Sequence, residues 1–256
     1  RQIICRIFLN RKRFMKENKY DDAVFFQKYS EMSRSKYGLS GAGEWYALKK
    51  MMPDFTGKRV LDLGCGYGWH CAYAADNGAK SVLGIDISVK MLETAKHKNA
   101  REKIVYQRAA MEDLHFACSS FDCVISSLAF HYVQDIALLF RNIYSWLVPG
   151  GNFVFSCEHP VFTAQGSQDW YYDENGNILH FPVDNYYYEG KRNAVFLGET
   201  VIKYHRTLTT YLNTLLDCGF TVRRVTEPAP PEEMMALPGM ADEMRRPMML
   251  LIAAQK

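Results

Sequence analysis

The sequence has no long apolar run, and neither sign of charge dominates it. It has no stretch of the roughly 18 apolar residues that a membrane-spanning helix needs. The formal net charge is only +3 over 256 residues, whereas a protein that binds a phosphate backbone usually carries a strongly basic face. We therefore expect neither a membrane nor a nucleic acid as its partner.

The seven cysteines lack the spacing of a disulfide framework or a zinc site. Their number is odd, no CxxC pair occurs, and several lie in apolar, strand-like stretches, where a free cysteine behaves as a small apolar residue. We expect no metal site and a reducing, cytoplasmic environment. Residues 1–14 are basic and acid-free, and we interpret them as a loosely held arm or an extension upstream of a start at Met15, rather than a targeting peptide.

Apolar residues, which make up 48% of the chain, follow helical and strand periods in turn. Helices are predicted at 21–36, 42–52, 68–77, 88–98, 135–147 and 207–217. Strands are predicted at 58–63, 81–86, 104–108, 121–127, 152–157, 220–226 and 248–254. This alternation predicts an α/β, Rossmann-like fold with a doubly wound, seven-stranded mixed sheet.

The chain is predicted to form a single domain over residues 1–256. It divides into an arm and cover helices (1–52), a core (57–157), an insertion (158–203) and a C-terminal helix with two strands (204–256). The insertion interrupts the alternation and is rich in aromatic residues. They are Trp170, Tyr171, Tyr172, Phe181, Tyr186, Tyr187 and Tyr188. We expect these aromatic residues to form a lid across the ligand-binding cleft of the predicted sheet. Equally, they form a small core within the insertion or a contact between two copies of the chain.

The turn after the first strand is the most informative segment. It reads VLDLGCGYG over residues 60–68, in which Asp62 precedes glycines at alternate positions. Glycine, which lacks a Cβ, lets the backbone turn sharply and approach a ligand closely. Asp86 ends the second strand, where a carboxylate can accept hydrogen bonds from ribose hydroxyls. A dinucleotide site would need G-x-G-x-x-G, and Trp69 stands where the third glycine belongs.

This segment resembles the class I S-adenosylmethionine-dependent methyltransferases of the small-molecule type, whose signature is D-x-G-x-G-x-G. The resemblance covers about residues 57–157 and the terminal strands. It includes, in the family's order, VLDLGCGYG, GIDIS, AMEDLHF, FDCVISSLAFHYV and LVPGG. It implies S-adenosylmethionine as the cofactor. It also implies a set of cofactor-binding residues: Asp62, Gly64, Cys65, Gly66, Gly68, Asp86, Ile87, Met91, Met111, Glu112, Ser127, Tyr29 and Arg34.

The resemblance also implies what each part of this set contacts. Asp62 and the backbone near Gly64 would hold the amino-acid part of the cofactor, and Asp86 would hold the ribose. The adenine would lie against Ile87, Met91, Met111 and Glu112. Ala110 stands where many relatives have an acid, so the contact with the adenine amine shifts to Glu112 or to water. Arg34, in a helix that closes over the cofactor in relatives, would pair with its carboxylate or lie on the surface.

The loop after the fourth strand, residues 126–132, is predicted to lie beside the reacting methyl group. Methyl transfer is an in-line displacement that depends mainly on positioning. The loop lacks the Asp/Asn-Pro-Pro-Tyr/Phe motif of enzymes that methylate exocyclic amines of bases or glutamine. His131 and Tyr132 are candidates for acceptor contact or general base; alternatively, His131 caps a helix or packs on the sheet. His159, Tyr186 and His205 are candidates for acceptor binding, with helix capping as an alternative for His205.

We therefore predict a cytoplasmic methyltransferase that acts on O, N or C of a small organic acceptor, with a second copy of the chain as a candidate partner. A methyltransferase that modifies wobble uridines of tRNA is the main alternative. It would require a continuous basic track leading from the cleft. An NAD-binding or non-enzymatic protein is the other alternative.

Overall fold

The structure is a computed structural model that describes residue 16 and residues 18–256; the predicted arm at residues 1–14 lies outside the described residues. The strands are β1 (Arg59–Leu63), β2 (Ser81–Asp86), β3 (Ile104–Arg108), β4 (Phe121–Ser127), β5 (Leu147–Glu158), β6 (Tyr171–Tyr172), β7 (Ile178–His180), β8 (Gly190–Phe196), β9 (Glu199–His205), β10 (Thr221–Thr226) and β11 (Met249–Gln255). The helices are α1 (Ala23–Ser30), α2 (Ser33–Tyr37), α3 (Trp45–Leu48), α4 (Trp69–Asp76), α5 (Val89–Lys98), α6 (Ile136–Trp146), α7 (Pro160–Ala164), α8 (Leu208–Asp217) and α9 (Met240–Glu243).

Seven of these strands form one mixed sheet in the order β10-β11-β5-β4-β1-β2-β3. Strands β1 to β5 pair in parallel, and β11 runs antiparallel to both β5 and β10. The predicted doubly wound, Rossmann-like sheet is thereby confirmed. The strand order reverses between β1 and β4. A crevice therefore opens at their carboxyl ends, which is where open α/β sheets bind ligands.

Apolar layers cover both faces of the sheet. On one face, the apolar sides of α6, which include Phe140, and of α8 pack with the rings of Phe130, Phe153 and Phe155. On the other face, α3, α4 and α5 contribute the second layer. Because β4 is covered on both sides, its central residues Cys123, Val124 and Ile125 are apolar and buried. Among the described residues, no helix has the length and apolar character needed to cross a bilayer.

The N-terminal helices differ from the prediction. The stretch 21–36 forms two helices rather than one, because the chain at Met32 is extended. The stretch 42–52 contains only the short α3 and a 3-10 turn at Lys49–Met51. The break lets the two parts face different neighbours: Phe25 packs in a small cluster with Ala194 and Val201 of the insertion, whereas Arg34 reaches the crevice. Tertiary contacts thus override the helical period.

The insertion forms the short helix α7 and two hairpins, β6–β7 and β8–β9. Hairpin β8–β9 packs on α1, with the rings of Phe25 and Phe196 5.7 Å apart. The insertion and the N-terminal helices therefore form a single cover beside the carboxyl ends of the strands.

Candidate active site

A cleft of about 1100 Å³, including its open mouth, lies at the carboxyl ends of the parallel strands. Most of the residues that the sequence singles out line it: Tyr29, Arg34, Gly64, Gly66, Asp86, Ile87, Met91, Met111, Glu112, Ser127, His131 and Tyr132. Cys65 lines a smaller adjoining cavity that shares part of the same wall. We name two ends of the cleft by their residues. The β2–β3 end contains Asp86, Ile87, Met91, Met111 and Glu112, and the β4–β5 end contains Tyr20, His131, Tyr132, Glu158 and Phe196.

The carboxylate of Asp86 is fixed by backbone donors. The N–H of Gly66 donates to Oδ2 over 2.8 Å, and the N–H of Ser88 donates to Oδ1 over 2.9 Å. Burial raises the pKa of Asp86 to about 6. Each carboxylate oxygen can accept more than one hydrogen bond. This side chain can therefore still accept from a pair of ligand hydroxyls in the cleft.

The glycine turn brings the backbone close to the cleft. Gly64 has φ +73°, and a Cβ there would lie 2.5 Å from the Cβ of Ala129. Gly66 has φ +52°, and a Cβ there would point into open space. Gly68 plays a different part and does not line the cleft, because a Cβ there would meet the hydroxyl of Tyr106 at 2.2 Å. Gly66 thus leaves space that a ligand can fill, whereas Gly64 and Gly68 allow close packing against Ala129 and Tyr106.

Asp62 is buried behind this turn and is only partly satisfied. The thiol of Cys71 donates to Oδ2 over 3.2 Å, and Oδ1 has no hydrogen-bond partner among the described residues. Burial raises the pKa of Asp62 to about 7. Leaving a buried polar atom unpaired costs free energy. An ammonium group, such as that of an amino-acid moiety, would satisfy this oxygen.

The N-terminal segment is tied down at the β2–β3 end. Asp21 accepts from the hydroxyl of Ser88 over 2.6 Å and from the N–H of Lys90 over 3.1 Å. The ammonium of Lys16 lies 2.6 Å from the carboxylate of Asp113. The apolar side chains of this end and these anchors together form a slot suited to a flat ring.

Arg34 lines the cleft but already has an acidic partner. Its Nη2 donates to both carboxylate oxygens of Glu44, over 3.0 and 2.8 Å. Glu44 is almost fully buried, and Arg34 is only 21% exposed, so the alternative of a solvated surface arginine is wrong. The pairing predicted between Arg34 and the cofactor carboxylate stays a prediction.

The β4–β5 end brings together two tyrosines and a histidine. The hydroxyls of Tyr20 and Tyr132 lie 3.1 Å apart. His131 is buried, and its Nδ1 accepts from the backbone N–H of Glu158 over 3.4 Å. Burial lowers the pKa of His131 to about 4, so the ring is neutral near pH 7. Because Nδ1 is an acceptor, the neutral ring carries its proton on Nε2.

The structure does not bring His159, Tyr186 or His205 to the cleft, contrary to prediction. His159 caps α7, accepting from the N–H of Val161 over 3.0 Å, and its Nε2 lies 2.7 Å from Glu227. His205 contacts the carbonyl of Tyr186 over 2.8 Å. The Tyr186 hydroxyl in turn accepts from a backbone N–H at the start of α8 over 3.2 Å. These three side chains support the insertion.

Glu158, one residue before His159, lines the cleft instead. Side chains of neighbouring residues in an extended chain point to opposite sides. Glu158 therefore faces the cleft, and His159 points away from it. The cleft-lining residues that the sequence did not predict include Lys16, Tyr20, Met32, Val133 and Phe196. No local motif marks them, because their place depends on the chain crossing the cleft.

The aromatic residues of the insertion do not cover the cleft, contrary to prediction. None of the seven rings between Trp170 and Tyr188 lines it. Trp170 and Phe181 join Phe162 around the guanidinium of Arg246, at 5.0, 4.8 and 4.6 Å from the three ring centres. Tyr187 is 88% exposed. The insertion thus uses part of its aromatic content as its own small core.

The relatives of the chain agree with this site. Residues 61–155 match the family described as a methyltransferase domain. The solved structure of an S-adenosylmethionine-dependent methyltransferase from Mesorhizobium loti is 44% identical, with a TM-score of 0.79, and the match covers 86% of this chain and 100% of that one. A structure described as a candidate enzyme of the same class, from Listeria monocytogenes, is 55% identical with a TM-score of 0.82, and the match covers 86% of this chain and 99% of that one. The chain belongs to the S-adenosylmethionine-dependent methyltransferases, and S-adenosylmethionine is its cofactor.

More distant relatives share mainly the core. Phosphoethanolamine N-methyltransferase 1 of Arabidopsis thaliana is 31% identical over 147 residues, which is 56% of this chain and 29% of the plant protein. Malonyl-[acyl-carrier protein] O-methyltransferase of Enterobacter lignolyticus is 31% identical over 134 residues, which is 52% of this chain and 49% of that protein. The chain therefore spans half or less of the length of these two relatives.

The features of the cleft fit the cofactor. Asp86 suits its ribose hydroxyls, and the open space beside Gly66 leaves room for it. Asp62 lines neither the cleft nor the adjoining cavity, so the contact predicted between its unpaired oxygen and the ammonium group of the cofactor stays a prediction. When bound, S-adenosylmethionine supplies an activated methyl group on a sulfonium. The described residues contain no set of three His, Cys, Asp or Glu side chains arranged to hold a metal ion.

Proposed function

We propose that the enzyme transfers the methyl group of S-adenosylmethionine to an O, N or C atom of a small organic acceptor bound at the β4–β5 end. One observation carries this proposal: Tyr20 and Asp21, which are neighbours in the N-terminal segment, form hydrogen bonds at opposite ends of the cleft. Asp21 bonds Ser88 at the β2–β3 end, and Tyr20 bonds Tyr132 at the β4–β5 end. In this proposal the segment of Tyr20 and Asp21 narrows the entrance to the cleft, which favours a small acceptor over a macromolecule.

His131 and Tyr132 orient the acceptor in this proposal. The neutral His131 ring has its Nδ1 engaged by a backbone N–H, so its Nε2–H is a hydrogen-bond donor. This favours acceptor contact over proton abstraction for His131. Positioning an acceptor in line with the methyl group, in a site that excludes water, supplies much of the acceleration. The same proposal includes the predicted contacts of Ser127 and of the glycine turn at residues 64–66 with the cofactor.

The matched relatives differ in their acceptors: one is a small molecule, which supports the proposal, and the other is an acyl group carried on a protein. They include N-methyltransferases of phosphoethanolamine and O-methyltransferases of malonyl-[acyl-carrier protein]. They give no support to a tRNA acceptor, which the low net charge also disfavours. A cytoplasmic location and a second copy of the chain as partner stay parts of the proposal.

The proposal is tested by fractionating a cell extract into small molecules, RNA and protein. Each fraction is incubated with enzyme and S-adenosylmethionine, and the release of S-adenosylhomocysteine is measured. We expect release with the small-molecule fraction, and much less release with the Asp86→Ala variant at the same subsaturating concentration of S-adenosylmethionine. Release that depends only on RNA or on protein would overturn the proposal.

A further inference from the structure

Glu158 is a charged side chain held in one orientation at the β4–β5 end. It ends β5, lines the cleft, and its side chain is 14% exposed. Lys203 of β9 donates to its Oε1 over 2.5 Å, and Gln168 of the insertion donates to its Oε2 over 2.8 Å. Lys203 also donates to the amide oxygen of Gln168 over 2.7 Å. The three side chains form a closed set, so the carboxylate cannot rotate away from the cleft without breaking several hydrogen bonds.

The carboxylate is ionised and retains acceptor capacity. Burial alone would raise the pKa of Glu158, but the neighbouring His131 and Lys203 outweigh burial, so the pKa lies below its ordinary value. Lys203 is 2% exposed and does not line the cleft, so its charge stays behind the carboxylate. Each carboxylate oxygen has one protein donor among the described residues and can accept a second hydrogen bond.

The surroundings of Glu158 favour a cation. Tyr20, Tyr132 and Phe196 line the same end of the cleft, and aromatic rings attract ammonium groups. The other charged residues that the structure describes along the cleft are Lys16, Arg34, Asp86 and Glu112. Lys16 and Arg34 each already pair with a carboxylate, and Asp86 and Glu112 lie at the β2–β3 end. Among the described residues, Glu158 is therefore the one ionised side chain that faces an acceptor at the β4–β5 end, with its partner Lys203 outside the cleft lining.

We infer that the acceptor carries a protonated amine and that Glu158 binds this ammonium group, with Lys203 and Gln168 as positioning residues. The inference rests on the proposed function and narrows its substrate class to small cationic amines. A cationic acceptor beside a sulfonium would be repelled, and an acid fixed at this end offsets that repulsion. Charge-assisted hydrogen bonds also give the site directional specificity for an N–H donor.

The test compares cations with neutral molecules of similar shape, using enzyme saturated with S-adenosylhomocysteine. The probes are butylamine against butan-1-ol and ethanolamine against ethylene glycol, and binding is measured by saturation-transfer NMR titration. We expect at least one cation to bind about tenfold more tightly than its neutral counterpart, as a charge-assisted contact implies. Glu158→Gln, which keeps the shape and removes the charge, should abolish that preference.

Glu227→Gln is the matched control. Glu227 lies nearby and pairs with His159 but does not line the cleft, so this variant should keep the preference. The affinity for S-adenosylhomocysteine should be unchanged in both variants, which also verifies that they fold.

The inference would be overturned if the unmodified enzyme showed no preference for cations, or if the preference persisted in Glu158→Gln. It would also be overturned if Glu158→Gln lost affinity for S-adenosylhomocysteine, because the carboxylate would then bind the cofactor. None of these three results bears on whether the acceptor is a small molecule. The proposed function fails separately, if only RNA or protein supports methyl transfer.

Discussion

The backbone N–H of Gly66 donates a 2.8 Å hydrogen bond to the carboxylate of Asp86. This bond joins the turn after β1 to the end of β2, so the glycine backbone and the acid form one unit. The geometry of the turn therefore fixes the direction of the carboxylate, and changes at either residue should be felt in cofactor binding.

Asp86→Ala should weaken the binding of S-adenosylhomocysteine by about one to two orders of magnitude, because hydrogen bonds to ligand hydroxyls and the bond to Gly66 are lost together. Isothermal titration calorimetry measures this change. Asp76→Ala is the control, since Asp76 is exposed and pairs with Arg101 outside the cleft. An unchanged affinity in Asp86→Ala would contradict the assignment of this carboxylate.

Gly66→Ala should abolish tight cofactor binding while leaving the protein folded. The added methyl group would occupy open space on the cleft wall, at a backbone φ of +52°. Gly150→Ala is matched to it, with φ +76° and open space too, but it lies outside the cleft. Both variants should lower the melting temperature by about 2–4 °C, as a strain of about 1 kcal/mol implies.

Only Gly66→Ala should lose affinity for S-adenosylhomocysteine. Equal affinity in the two glycine variants would show that the backbone at Gly66 does not approach the cofactor.

Cofactor affinity should rise between about pH 5.5 and pH 8, by about tenfold for each carboxylate that must ionise. Burial raises the pKa of Asp62 to about 7 and that of Asp86 to about 6. An ammonium group and ribose hydroxyls bind the ionised carboxylates better. Calorimetry across this range should show the rise, and Asp62→Asn should remove the part near pH 7.

The same two groups should affect the stability of the ligand-free protein in the opposite direction. Their folded-state pKa values are raised above the ordinary value of 3.8. Their contribution to stability is therefore fully present below about pH 4 and is lost as the pH rises through 6 to 7. Urea unfolding of the unmodified protein, compared with Asp62→Asn, should show less loss in the variant; an identical pH profile would contradict the raised pKa.

Lys203→Met should destabilise the fold by about 3–5 kcal/mol, because it leaves the carboxylate of Glu158 buried without its partner. Glu158→Gln should cost less, since the amide oxygen can still accept from Lys203. The double variant should lose less stability than the sum of the two single losses. Urea unfolding of the four proteins measures this coupling, and additive losses would show that the pair does not act as a unit.

The sequence predicted the sheet and the cofactor end well because both depend on local signals. Strand periods bounded by glycine marked β1 and β2, and Ser88 caps α5 as expected, accepting from the N–H of Met91 over 3.1 Å. Asp62 and Asp86 were identifiable because each stands at a strand end beside a glycine turn or a cap.

The β4–β5 end was harder to predict because it depends on long-range packing. Whether Glu158 or His159 faces the cleft depends on one residue of strand register. The pairing of Arg34 with Glu44 and the contact of Tyr20 with Tyr132 require a chain path across the cleft that no local period encodes. The aromatic composition of the insertion indicated a large apolar surface. It did not indicate what packs against that surface, where the guanidinium of Arg246 lies over the ring of Trp170.

The most direct measurement follows a deuterated methyl group from S-adenosylmethionine into a cell extract by mass spectrometry. We predict that the label appears in a small molecule that carries a basic nitrogen, and that Glu158→Gln lowers its formation while cofactor affinity is retained. Label found only in RNA or protein would contradict the proposal that the enzyme methylates a small molecule.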